Sequence, residues 1–204
     1  DYAVEAPSFE AMEAYISARG KIYLSKPEFF TIRAKINGED ADFVLCRKEF
    51  GYSDGRRPDK VEMGTIFDDL ARRDFTMNAM ARIGTNGPYI DPHLGSLDIA
   101  DRLIRTVGMA EHRFHEDALR LLRAMRFSIT LGFDIHADII SCMGQDSLLI
   151  RLASVSIERK QIELQNGFAA NTRRTLDFWE TNKRLRDCLF SDSKMWLDPT
   201  LRIP

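Results

Sequence analysis

The spacing of apolar and polar positions changes character along the chain, from alternation to helical periodicity. Residues 1–5 (DYAVE) alternate like the end of a strand. Ser8 stands where it can cap a helix over residues 9–18, with Ala11, Met12, Tyr15 and Ile16 as its buried side and Gly20 as its stop. Residues 22–24 and 29–36 read as strands, Asn37-Gly38 as a tight turn, and residues 41–47 as the returning strand of a hairpin. Because side chains alternate along a strand, Asp42 faces away from Phe43 and Leu45. Residues 49–60 (EFGYSDGRRPDK) hold two glycines, a proline and six charges, which predicts an exposed, mobile connector. From Thr65 the pattern predicts a short helix, a break at Asp74 acting as a cap, and a second helix turning Met77, Ala79 and Met80 inward. Tyr89 to Pro92 closes a strand in a turn, Gly95 and Ser96 start a short helix, and residues 103–107 lead into a longer helical pattern.

That pattern, RFHEDALRLLRAMRF at residues 113–127, repeats polar residues every third position: Asp117, Arg120, Arg123 and Arg126. On one continuous helix each such step turns the side chain about 60° backwards, so Asp117, Arg120 and Arg123 share a polar arc. Ala118, Leu119, Leu122, Met125 and Ile129 then form the apolar face, and Arg126 lands at its edge. One carboxylate is followed by three guanidiniums with no later acid to pair them, so an anionic or polar partner is expected from elsewhere. The alternative is that these arginines lie over a core helix or bond nearby carbonyls. Beyond Gly132 the chain reads as helices at 136–143, 156–166 with Ser156 as N-cap, and 171–189. The last carries Arg173, Arg174, Lys183, Arg184 and Arg186, either a phosphate-contacting patch or a solvated face. A mixed sheet followed by helices predicts an α+β head at 1–107 and an α-helical neck at 108–204.

Composition narrows the classes. A chain of 204 residues, 44% hydrophobic, can bury a real core in one or two domains. Its net charge of -2 means that nucleic acid would have to be held by a local patch. Cys46, Cys142 and Cys188 are odd in number and widely spaced, as expected of reduced thiols in a cytoplasmic or organellar protein. His112 and His115 flank no evident further ligands and read as ordinary residues near a helix cap. No apolar run reaches the roughly eighteen residues of a membrane span, so no membrane association is expected.

Four motifs then occur in order: LARRDFTMNAMA, DPHLGSLD, TVG followed by RFHEDALRLLRAMRF, and SIERKQIEL. In sequence and spacing, residues 1–167 resemble the class II tRNA nucleotidyltransferases, the CCA-adding enzymes and their bacterial poly(A) polymerase relatives. The resemblance implies a head of the DNA polymerase β nucleotidyltransferase type followed by a helical neck. It also implies that carboxylates on neighbouring strands hold Mg²⁺, with Asp1 as the second acid of a DxD pair and Asp42 as the acid of the adjacent strand. Metal ions so held can activate a terminal 3′-hydroxyl and stabilise departing pyrophosphate.

The same resemblance implies that Arg73 contacts the bound nucleotide with Asp74 and Asn78 near its ribose. It implies that Asp117 and Arg120 read the base of CTP or ATP, that Arg123 and Arg126 are further nucleotide-binding arginines, and that Glu158 and Arg159 buttress the reading helix. The expected reaction is addition of C, C and A to the tRNA 3′ end, and the GYSDGRRP loop favours it over addition of C alone. A poly(A) polymerase or A-adding enzyme, or a subunit that binds nucleotide or RNA without catalysis, remains the alternative. The family's glycine-rich GGxVRD segment and first DxD acid are expected just before Asp1, and His93-Leu94 replaces its usual aromatic-glycine pair. The family's larger tRNA-holding body would follow residue 167, so an additional segment, an oligomer or a partner chain is expected to complete the protein.

Overall fold

The structure, a computed structural model, describes residues 1–53, 55 and 58–190. Two compact units divide the chain, Asp1–Gly51 with Pro58–Arg73 and Tyr52–Arg57 with Asp74–Pro204.

In the first unit, β1 (Tyr2–Val4), β2 (Gly20–Lys26), β3 (Thr31–Ile36) and β4 (Glu39–Leu45) form a sheet of order β1-β4-β3-β2. β1 runs parallel to β4, and the other pairings are antiparallel. The β3–β4 hairpin turns on Asn37 and Gly38, both at positive φ, the conformation that such a two-residue turn demands. Helix α1 (Phe9–Ser17) starts where Ser8 accepts the Ala11 N–H and lays Phe9, Met12 and Ile16 on Ile32, Ala34 and Leu45. Tyr15, expected inside, is 60% exposed and lies under the Arg19 guanidinium, and Ala11 is exposed too. A short helix resting on one sheet face buries one stripe, and both residues sit beside it. Gly20 does not stop the helix, which closes at Ala18, but opens β2. A Cβ there would lie 2.1 Å from the Lys35 carbonyl oxygen, so the residue permits close strand approach.

The expected connector is shorter than its composition suggests, because β5 (Arg47–Phe50) pairs antiparallel with β6 (Lys60–Met63). Charged residues on both faces of this ribbon hide the alternation by which strands are read. Asp54, Arg56 and Arg57 of the GRRP loop lie outside the described residues. Helix α2 (Ile66–Ala71) follows, fixed by a reciprocal capping box between Thr65 and Asp68.

The second unit departs from expectation at once. Directly after Asp74 the chain forms a single 3₁₀ turn, Thr76–Asn78, in place of the expected helix, because Phe75 and Thr76 pair with the backbone of Thr106 and Arg105. The small hairpin β7 (Ala81–Arg82) and β8 (Tyr89–Ile90) leads to α3 (Gly95–Ala100), whose first N–H groups are accepted by Asp91. β9 (Leu103–Ile104) pairs parallel with β10 (Asp134–Ile135).

Helices build the rest. The long pattern at 113–127 is two helices, α4 (Ala110–Glu116) and α5 (Arg120–Leu131), separated at Asp117 by an extended backbone, φ -148° and ψ 103°. After them come α6 (Ala137–Cys142), α7 (Asp146–Ser154), α8 (Ile157–Thr181) and α9 (Lys183–Phe190). The sequence pattern omitted α7, whose Ile150 is 72% exposed and blurs its amphipathic stripe. Ser156 occupies the N-cap position of α8 without a side-chain capping bond. Asn171 leaves helical geometry inside α8 and its side chain accepts the Arg174 N–H, so two helical segments meet there.

Phe114, Leu121, Leu122, Met125, Leu148, Leu152 and Trp179 make the core of this unit. Among them runs a polar seam: Glu163 of α8, 6% exposed, accepts from Arg126 of α5 and pairs with Arg123 of the same helix. The three cysteines are free, and burial pushes the Cys46 thiol up to about 11. Among the described residues, no helix is long and apolar enough to cross a membrane. Truncating Glu163 leaves the partly buried Arg126 guanidinium without its acid and takes one of two acids from Arg123, so Glu163→Ala should lower unfolding free energy by roughly 3–5 kcal/mol. Urea unfolding checks this, and a loss below about 1 kcal/mol would show the seam to be solvated and dispensable.

Candidate functional site

The parallel register sets Tyr2 beside Phe43, and their rings stack at 5.2 Å on the face covered by α1. Carried back one residue, that register puts Asp1 alongside Asp42 on the opposite, open face. The Asp42 pKa is lowered, chiefly by Arg33 of β3, directly across the ladder, which donates to both carboxylate oxygens at 2.6 and 2.7 Å. Two hard oxygen donors on adjacent strands suit Mg²⁺ as part of a ligand set. Among the described residues, no three His, Cys, Asp or Glu side chains gather closely enough to complete one.

Arg73 closes the first unit, and its position depends on an acid that the sequence pattern did not single out. Asp69, 1% exposed, accepts from Arg72 at 2.6 Å and from Arg73 at 2.9 Å. Arg72 also reaches Glu49, which Arg47 pairs from β5. The Arg73 Nε is buried and finds no hydrogen-bond acceptor among the described residues, a donor suited to an anionic ligand. The spacing of four between Asp69 and Arg73 was a readable sign of their pairing.

In the second unit Asp74 does not cap a helix; its carboxylate binds across the fold. One oxygen accepts the Phe75 N–H at 2.8 Å and the Asn78 amide at 3.1 Å, and the other accepts from Arg123 at 2.7 Å. Burial pushes the carboxyl pKa up, but the Arg123 charge and these bonds outweigh it, and the net shift is downward. Asp74, Asn78 and Arg123 are thus one assembly, extended through Glu163 to Arg126.

Asp117 and Arg120 are likewise held. Asp117 lies at the gap between α4 and α5, where it accepts the Leu119 N–H at 3.1 Å and is clasped by Arg159 of α8 at 2.6 Å. Arg120 donates to Glu116 at 2.8 Å and to the Arg113 carbonyl at 3.1 Å. The arginines therefore have partners within the chain: Glu116, Asp74 and Glu163. The single polar arc does not form either, because the helix it presumes breaks at Asp117. Arg159 buttresses this region as expected, and Glu163 joins it although the motif gave it no role. In the proposed basic patch, Arg173 pairs with Asp177, Arg184 with Asp146 and Arg186 with Asp187.

Comparison with known proteins places this arrangement. The family described as "Poly A polymerase head domain" matches residues 1–105. The CCA-adding enzyme of Lactiplantibacillus plantarum is 41% identical over 137 residues, covering 67% of this chain and 33% of that protein. The Staphylococcus aureus CCA-adding enzyme is 44% identical over 138 residues, covering 67% and 34%. The chain thus spans about a third of these relatives. Among solved structures, the Bacillus stearothermophilus CCA-adding enzyme in complex with CTP superposes with a TM-score of 0.73 at 29% identity, over 92% of this chain and 48% of that one. A tRNA nucleotidyltransferase complexed with a primer tRNA and an incoming ATP analog gives 0.70 at 25% identity, over 96% and 56%. By its head-domain match and by these relatives, the chain belongs to the CCA-adding enzyme and poly(A) polymerase family, with a mixed α+β nucleotidyltransferase head and a helical region after it.

Proposed function

We propose that the protein carrying this chain is a template-independent RNA nucleotidyltransferase that adds C, C and A to the 3′ end of tRNA from CTP and ATP, releasing pyrophosphate. The observation that carries this reading is the pair Asp117 and Arg120, an acceptor and a donor fixed at a helix gap by Arg159 and Glu116. Complementary groups held in place by other side chains can take over the selection that a template base would make. Such prior fixing lowers the ordering cost of binding.

The remaining assignments follow from what each side chain can offer. Arg73, braced on buried Asp69, is the proposed nucleotide contact, and Asp74 with Asn78 the proposed ribose neighbours. Arg123 and Arg126 serve the nucleotide site by holding Asp74 and Glu163 in place. Asp1 and Asp42 are proposed to hold Mg²⁺ with acids from outside the described residues. Once bound there, the metal supplies charge neutralisation at the phosphates and lowers the pKa of the attacking hydroxyl. A head ending near residue 107, a neck from 108, a cytoplasmic or organellar setting and a completing segment or partner chain belong to the same reading.

A second reading, open-ended or single addition of A, has the family description "Poly A polymerase head domain" in its favour. Incubating the intact protein with tRNA that ends before CCA and with each labelled nucleotide separates the two. C, then C, then A is the expected product; A alone supports the second reading, and no incorporation points to a binding subunit.

Replacing Asp117 or Arg120 with alanine should blur the choice between CTP and ATP by about 10-fold or more, since one good bidentate contact contributes about 1–3 kcal/mol of base discrimination. Competition between the two labelled nucleotides reads this out, and an unchanged ratio would remove both residues from the reading role. Arg159→Ala, which frees Asp117 without deleting it, should blur selection in the same direction while Asp117 remains present.

A further inference from the structure

Both oxygens of the Asp42 carboxylate are already engaged by a side chain to which neither motif nor mechanism has given a part. Arg33 stands opposite Asp42 in the β3–β4 register and meets it in a two-pronged pair, Nε to Oδ1 at 2.6 Å and Nη2 to Oδ2 at 2.7 Å. The neighbouring Lys35 lies opposite Asp40 in the same register, and Arg33 is the side chain that pairs with Asp42. The pair sits on the open sheet face, with side-chain exposures of 58% for Arg33 and 28% for Asp42. An ion pair this wet is exchangeable, unlike one sealed in a core.

A cation cannot use the same carboxylate lone pairs as a guanidinium that spans both oxygens. We propose that Arg33 is a positioning residue that occupies Asp42 as a stand-in cation and must yield at least one oxygen before a divalent metal ion binds there. This rests on the reading of Asp42 as a metal ligand. The Arg33 contact fixes the orientation of the Asp42 carboxylate. Metal occupancy and the Arg33 contact are then mutually exclusive at the shared oxygen, and each weakens the other to the same extent.

The test is a titration of the intact protein with Mn²⁺ alone, followed by the electron paramagnetic resonance of the free ion, with thermal melts to confirm folding. Arg33→Gln removes the competitor and should tighten Mn²⁺ binding about two- to five-fold, the range set by the strength of exposed ion pairs. Rising ionic strength should shrink that ratio toward one, because it screens the pair in the native protein. Asp42→Asn should weaken binding, and in an Arg33→Gln/Asp42→Asn double variant the change at position 33 should have no further effect. If Asp42→Asn weakens binding while Arg33→Gln leaves it unchanged or weaker, the competition is refuted and the ligand role of Asp42 stands. If Asp42→Asn leaves Mn²⁺ binding intact, the ligand role fails and the proposal about Arg33 falls with it.

Discussion

Ion pairs between residues remote in sequence organise the second unit. Arg159 reaches Asp117, Arg123 reaches Asp74, and Arg126 reaches Glu163. Each joins a side chain of the α4–α5 region to a segment that the hydrophobic core alone would leave free to slide. Apolar contacts are non-directional, whereas a guanidinium fork accepts a carboxylate in few orientations. The core formed by Leu121, Leu122, Met125 and Trp179 therefore holds the helices together, and the charged seam fixes how the polar side chains between them are aimed.

Much of the first unit was legible because its determinants are local. Asn37-Gly38 names its turn, Ser8 and Thr65 name their helix starts, and the alternation about Asp42 names its face. Less legible was anything that depends on long-range partners. The break at Asp117 escaped notice because apolar residues on both sides continue the helical spacing, and a periodic pattern carries no information about one extended residue within it. The 3₁₀ turn at Thr76 replaced an expected helix because backbone bridging to Thr106 claimed Phe75 first.

The candidate site divides along the same line. Its residue types were legible through motif order, yet the partners of its charges were not. The arginines of α5 read as lacking acids, and the fold supplies Asp74 from 49 positions upstream and Glu163 from 37 positions downstream. Arg33 and Asp69 carried no motif at all; one is recognised only from strand register and the other from its burial. A side chain's chemistry can be read from its letter, but whether that chemistry is already engaged depends on the folded chain.

The interruption at Asn171 has a mechanical corollary. A continuous helix behaves as a stiff rod along which torsion travels, while a rod cut and capped afresh by an asparagine bends at the cut. Arg159 and Glu163 lie before that joint and Trp179 beyond it. Because helical geometry is broken at Asn171, the segment that carries Arg159 and Glu163 and the segment that carries Trp179 each set their own direction against the core they share.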